Sequence, residues 1–96
     1  MKAKYQEWNE EDRKLFREWL VGHLSYGEVT VNFTKKDGEE REMRCTLNEE
    51  LAPSYEKKTD RKISEEVCFV YDLDKDAWRS FRFDSVTQVR FSIGQD

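Results

Sequence analysis

Apolar residues first recur at helical spacing. Leu15, Phe16, Trp19 and Leu20 fall at i, i+1, i+4 and i+5, which gathers them on one face. Ahead of them Asn9 offers a capping side chain, and Glu10, Glu11 and Asp12 put acids in the first turn, where the helix dipole favours them. The pattern predicts one amphipathic helix over about residues 10–21, with Gly22 as its stop and His23 just beyond. Such a helix must cover something.

From Glu28 the period shortens to two. Val29, Val31 and Phe33 point one way and Thr30 and Asn32 the other. After the turn residues Lys36-Asp37-Gly38 the alternation resumes, with Arg41, Met43, Cys45 and Leu47 against Glu42, Arg44 and Thr46, which predicts a hairpin. Asn48 to Ala52 is long enough for one helical turn before Pro53, because the residue before a proline resists the helical region. Residues 54–66, SYEKKTDRKISEE, hold almost no apolar content and read as an exposed loop. VCFVYD hardly alternates, so it is expected as a central strand buried on both faces. Leu73 to Asp76 is a turn, Trp78 to Phe83 pairs back, and Asp84-Ser85 breaks the chain before a last strand with Val89, Phe91 and Ile93 on one side and Gln88, Arg90 and Ser92 on the other.

One helix and about five short strands make an α+β, mainly β chain. A sheet of that size in a small chain must curl to hide its apolar face, and closure also removes its edges. The expectation is a single domain over residues 1–96: an N-terminal helix packed on a small five-stranded SH3-like or Sm-like antiparallel barrel over about 28–93, with the helix across one open end.

Composition narrows the function classes. Apolar residues are 36% and charged residues 40%, yet aromatics reach 14%, so the core is expected to be thin and aromatic. The net charge of −4 comes from 17 basic and 21 acidic side chains interleaved along the chain, a poor profile for duplex binding, which needs clustered positive charge. Cys45 and Cys68 lie in strand-like runs and read as buried reduced thiols rather than a disulfide framework. MKAKYQEWNEED lacks the apolar core of a signal peptide, and no run approaches a membrane span, so a soluble cytoplasmic protein without membrane association is expected.

No catalytic chemistry is legible. The acidic pairs Glu39-Glu40, Glu49-Glu50 and Glu65-Glu66 sit in turns and loop edges, where no pocket separates their pKa values. His23 is the only histidine, so neither a His cluster for zinc nor a base for a nucleophile is expected beyond it. The four glycines are scattered at element ends and cradle no phosphate. A non-enzymatic chain with no cofactor and no metal is the expectation.

Two stretches are left as candidate binding residues. Lys57, Lys58, Arg61 and Lys62, near Tyr55, form the densest positive segment, offset by Glu56, Asp60, Glu65 and Glu66. WRSFRFD, Trp78 to Asp84, divides by alternation: Arg79, Phe81 and Phe83 share one face, and Trp78, Ser80 and Arg82 share the other. On that second face an arginine beside an aromatic can stack on a base or grip a phosphate. The structural alternative is that Arg79 or Arg82 pairs with Asp84 or Asp72 and stabilises the barrel.

VCFVYDLDKDAWRSFRFDSV resembles the C-terminal half of a WYL domain, with its apolar strand, Tyr-Asp-Leu turn and Arg-x-Phe-Arg-x-Asp run. Together with VNFTKKDGEEREMRCTL and the Lys-rich spacer, it resembles the short phage-encoded WYL-like family of Sm-like SH3 β-barrels, over roughly residues 29–91. Glu66-Val67-Cys68 stands where the name-giving Trp-Tyr-Leu would be, and Ser85 replaces a second arginine. The resemblance implies the barrel, and it implies that Arg79 and Arg82 occupy positions associated with sensing nucleic acid or another anion. The expected function is therefore regulatory binding of a nucleotide or single-stranded nucleic acid through Trp78, Arg79 and Arg82 with the basic loop. The rival is a protein–protein module acting on a host regulatory or defence factor in the host cytoplasm. An oligomer is compatible with either.

Overall fold

In the computed structural model, residues 2–53 and 66–91 are described. A 3₁₀ turn at Tyr5–Glu7 leads into helix α1, Glu10–Tyr26. Asn9 caps the helix as expected, its Oδ1 accepting the Asp12 amide at 2.8 Å. The helix passes through Gly22 and ends at Gly27, whose amide reaches the His23 carbonyl at 3.0 Å. A helical glycine costs about 1 kcal/mol relative to alanine, and burying Leu24 two residues further on outweighs it. His23 thus lies inside the last turn, not beyond it. The buried stripe is Phe16, Leu20 and Leu24, at i, i+4 and i+8. Leu15, expected on that face, is 58% exposed, because one residue turns the side chain about 100° away from the stripe that the sheet covers.

Five strands follow: β1 Val29–Thr34, β2 Glu40–Thr46, β3 Val67–Asp72, β4 Ala77–Arg82 and β5 Val86–Phe91. They form one antiparallel sheet in the order β4-β3-β2-β1-β5. The β1–β2 turn uses Gly38 at φ 88, a conformation that a side chain resists. Val29, Val31 and Phe33 face inward as the alternation requires. Phe33 of β1 stacks on Phe81 of β4 with centroids 5.8 Å apart, although two strands separate them in the sheet order. The sheet therefore curls around its apolar face.

Among the described residues β4 and β5 are the two ends of the order, and no β4–β5 pairing joins them. The outer side of β5 is covered instead by the N-terminal segment, through a bridge from Lys2 to Gln88 and the Ala3 amide on the Thr87 carbonyl at 2.9 Å. β3 is buried on both faces over Val70–Asp72, where Tyr71 on the outer side is 6% exposed, but not before it: Cys68 points in while Phe69 is 39% exposed. Phe83 leaves the strand for a 3₁₀ turn, Phe83–Ser85, that absorbs the Asp84-Ser85 break. A register shift between Asn32 and Phe33 sets both Val86 and Val89 inward. The polar loop at 54–65 and the end of the last strand, Ser92 and Ile93, lie outside the described residues.

Only Cys45 and Thr46 of β2 pair with β3, opposite Asp72 and Tyr71. Thr46, assigned by alternation to the polar face, is fully buried. Its hydroxyl lies 3.1 Å from the Leu24 carbonyl and 2.8 Å from that of Gly27, and accepts the Asn48 amide at 3.0 Å. Its single hydrogen is shared between two carbonyls at the helix end, of which that of Leu24 also accepts the Leu47 amide at 2.9 Å.

Cys45 and Cys68 are free and buried. Burial pushes both thiols up, Cys68 to about 12 and Cys45 further, with Cys68 and Asp72 adding charge repulsion at Cys45. Unfolded thiols titrate near ~8.5, so as pH rises above that value the unfolded chain sheds protons that the native chain keeps, and stability falls. Urea midpoints are expected to decline through the mildly alkaline range, less so for Cys68→Val. At neutral pH both thiols should react with a disulfide reagent only after denaturant is added; fast labelling of the native protein would contradict the packing.

Candidate functional site

The β3–β4 hairpin carries the residues singled out in WRSFRFD. Its turn is organised by Asp72, whose Oδ1 accepts the amides of Asp74 and Lys75, each at 3.0 Å. Asp76 closes the turn at φ 54, a left-handed conformation that aspartate tolerates better than most residues. The Asp72 side chain is 3% exposed, and its Oδ2 lies 3.6 Å from Arg79 Nε. A buried carboxylate with two amides and a guanidinium is a satisfied one.

Pairing then sorts the side chains. Cys68 lies opposite Phe81 and Val70 opposite Arg79, on the inner side; Phe69 lies opposite Ser80, Tyr71 opposite Trp78, and Val67 opposite Arg82, on the outer side. Phe69 and Trp78 stack across the strands with centroids 5.7 Å apart and planes 5° from parallel. Tyr71 meets Trp78 edge-on at 5.4 Å. The outward face is a two-ring aromatic step with a hydroxyl and an arginine beside it. Arg82 is held there by Asp84 in a two-point contact, Nε to Oδ1 at 3.0 Å and Nη2 to Oδ2 at 3.1 Å, with Glu66 at 3.7 Å. The hydrogen bond to Asp84 raises the guanidinium pKa further, so Arg82 stays charged.

Trp78 and Arg82 therefore share the outward face, as alternation predicts, whereas Arg79 belongs to the inner side beside Asp72. Lys57, Lys58, Arg61 and Lys62 lie outside the described residues. Phe69 and Tyr71 were missed. The signal was present in their odd-numbered alternation against Cys68 and Val70, but a strand read as buried on both faces hides it.

The remaining chemistry is sparse. Arg44 pairs with Glu28 at 3.3 Å and Asp74 at 3.0 Å, and Arg90 with Glu42, so these cations too meet the chain's own carboxylates. His23 is stacked on Phe91 at 4.2 Å and meets Trp19 at 5.0 Å, a packed ring rather than a base facing a nucleophile. A cleft of about 460 Å³ lies between the Tyr5–Glu7 turn and the Phe83–Ser85 turn, where Lys4, Glu7 and Asp84 mix both signs of charge. Among the described residues no His, Cys, Asp and Glu group could hold a metal ion, and no helix is long and apolar enough to cross a membrane.

Residues 17–86 match the family model WYL_2, described as an Sm-like SH3 β-barrel fold. The match begins at Arg17, so it includes the second half of α1, which the sequence resemblance had left out. The chain is also 32% identical over 83 residues, 82% of its own length and 81% of the relative's, to an uncharacterized 11.5 kDa protein in the Gp31-cd intergenic region of Enterobacteria phage T4. No solved structure matches it significantly.

Asp72→Ala is expected to lower stability by about 1–3 kcal/mol, since it frees two turn amides and leaves Arg79 without its carboxylate. Asp72→Asn should lose less, because its amide oxygen still accepts the turn. Arg82→Ala, an exposed ion pair, should leave the thermal melt almost unmoved. Urea unfolding of the three variants checks the order; equal losses would show that the turn does not depend on Asp72.

Proposed function

The chain belongs to the WYL_2 family, with an Sm-like SH3 β-barrel fold, and from that premise we propose that it is a non-enzymatic regulatory module that takes the base of a nucleotide or of a single-stranded nucleic acid on the outward face of β3 and β4. The observation that carries this reading is the Phe69–Trp78 stack, parallel to within 5° and partly open to solvent. Every base has a π face, and aromatic steps on a sheet bind single strands with little sequence preference. Arg82 and Ser80 border the step and offer donors to a phosphate or a base edge.

Electrostatics makes stacking the larger contribution. Arg82 is committed to Asp84 and Arg79 to Asp72, so a phosphate must share a cation that already has a carboxylate. With a net charge of −4 there is no long-range attraction for a polyanion. Lys57, Lys58, Arg61 and Lys62 are the proposed phosphate contacts, in the segment that enters β3 through Glu66 beside Arg82.

A protein partner is the second reading, favoured by the same neutralised arginines and by Leu15 and Val21, 58% and 38% exposed on α1. A host regulatory or defence factor belongs to this class. Deleting residues 1–24 would remove Phe16 and Leu20 from the core, so surface changes such as Leu15→Glu are the appropriate probe.

Oligothymidylate and free nucleotides titrated at low salt, read by tryptophan fluorescence, separate the two. Trp78→Ala and Phe69→Ala are each expected to weaken oligonucleotide binding by about 1–3 kcal/mol, roughly tenfold to a hundredfold. Arg82→Ala should mainly flatten a shallow salt dependence. Wild-type protein that binds none of these at low salt defeats the base-stacking reading. Recovery of one stoichiometric protein from host lysate, lost in Leu15→Glu, would favour the second.

A further inference from the structure

The cleft between the Tyr5–Glu7 turn and the Phe83–Ser85 turn has fixed walls. On one side Tyr5 is buried, Arg13 donates to the carbonyls of Tyr5 at 2.9 Å and Gln6 at 3.1 Å, and Arg17 reaches the Tyr5 hydroxyl at 2.7 Å. On the other side Phe83 and Val86 are buried, and the Val86 amide returns to the Phe83 carbonyl. The Ala3 amide on the Thr87 carbonyl at 2.9 Å joins the two walls. The space between them, about 460 Å³, is of the size that takes a small molecule or one long side chain.

Three hydroxyl groups line this space, and their hydrogens are already used. Thr34 donates to Glu40 Oε2 at 3.2 Å, and Ser85 donates to the Arg82 carbonyl at 2.8 Å. Thr87 donates to Glu40 Oε1 at 2.6 Å, with the Asn32 carbonyl further off at 3.3 Å. A hydroxyl has one hydrogen and two lone pairs, so what these three groups still offer is acceptor capacity. The two Asp84 oxygens each accept once from Arg82 and can accept again, and Glu7 adds a second carboxylate to the lining. Against these acceptors the lining sets the Lys4 ammonium and the Gln6 amide as donors, while the Tyr5 hydroxyl is engaged with Arg17.

We propose that this cleft binds an organic cation, an alkylammonium or guanidinium group, with Glu7, Asp84 and the lone pairs of Thr34, Ser85 and Thr87 as its acceptors. An anion entering the cleft would meet lone pairs on all five of these groups, whereas a cationic donor is matched by each of them. Charge has the same sense: the lining carries two carboxylates and one ammonium, in a chain of net charge −4. Arg82 offsets part of the Asp84 charge and Lys4 opposes the ligand, so the attraction is modest and the acceptors set the ligand class. A bare metal ion fits poorly, because the space is far larger than one ion and, among the described residues, no His, Cys, Asp and Glu group could hold a metal. This is a second site, and its failure leaves the base-stacking reading untouched.

The full chain, labelled with nitrogen-15, is titrated at low salt with spermidine and with N-acetylarginine amide, and N-acetylcitrulline amide serves as the uncharged control of the same shape. Amide signals of Gln6, Glu7, Ser85 and Thr87 should shift and saturate with both cations and stay in place with the citrulline compound. Glu7→Gln should weaken binding by roughly two- to fivefold and Lys4→Gln should strengthen it by a similar factor, both with an unchanged thermal melt, since both side chains are exposed. Ser85→Ala keeps every charge and removes one acceptor, so it too should weaken binding. Tighter binding of the arginine amide identifies a protein side chain as the natural ligand, and tighter binding of spermidine identifies a free polyamine. Shifts that spread over the acidic surface without saturating, equal binding of the citrulline amide, or affinities indifferent to Glu7→Gln and Lys4→Gln overturn the proposal.

Discussion

Two buried polar side chains at neighbouring positions of one short seam connect the parts of this molecule. Thr46 sits where β2 ends, with its hydroxyl among the last carbonyls of α1, and the Leu47 amide adds a bond to Leu24 at 2.9 Å. Next to it Cys45 pairs with Asp72, which caps the β3–β4 turn and meets Arg79. β2 pairs with β3 at Cys45 and Thr46, and the Leu73 amide adds a bond to the Arg44 carbonyl at 2.9 Å, so the hairpin that bears the candidate site joins β2 through a short seam. Polar groups in such a place are costly unless fully partnered, and here they are, so the joint has one favourable arrangement.

Aromatic residues serve both sides of the sheet. Tyr5, Trp8 and Phe16 meet with centroids 5.3–6.3 Å apart, and Phe16 continues through Trp19 to Phe91. This chain of rings seals the helix against the barrel and ties down the N-terminal segment, which Arg13 also grips through the Tyr5 carbonyl at 2.9 Å. Phe69 and Trp78 stand on the other side, stacked on each other across β3 and β4.

The arginines invite a different conclusion in space than along the chain. Arg79 and Arg82 lie close together in sequence, yet one turns to a buried carboxylate and the other to a surface one. Neither is an uncommitted cation. The family's Sm-like barrel is shared, while recognition by bare positive charge finds little support in this acidic chain.

Much of the fold was legible because it depends on local periods. Spacing of apolar residues located α1, the period of two placed Val29, Val31 and Phe33 inside, and the same alternation set Trp78 and Arg82 apart from Phe81. The end of the helix was not legible, since the cost of Gly22 is local while the gain from burying Leu24 arises only against the sheet. Nor was the burial of Thr46, whose partners lie at the far end of another element. Phe69 joined Trp78 only when the register of β3 on β4 was known, because alternation sets the face of a residue but not its neighbour. Sequence alone thus determined which elements form and which way most side chains point. Which of them meet, and which charges cancel, was decided by tertiary pairing between residues that no local period relates.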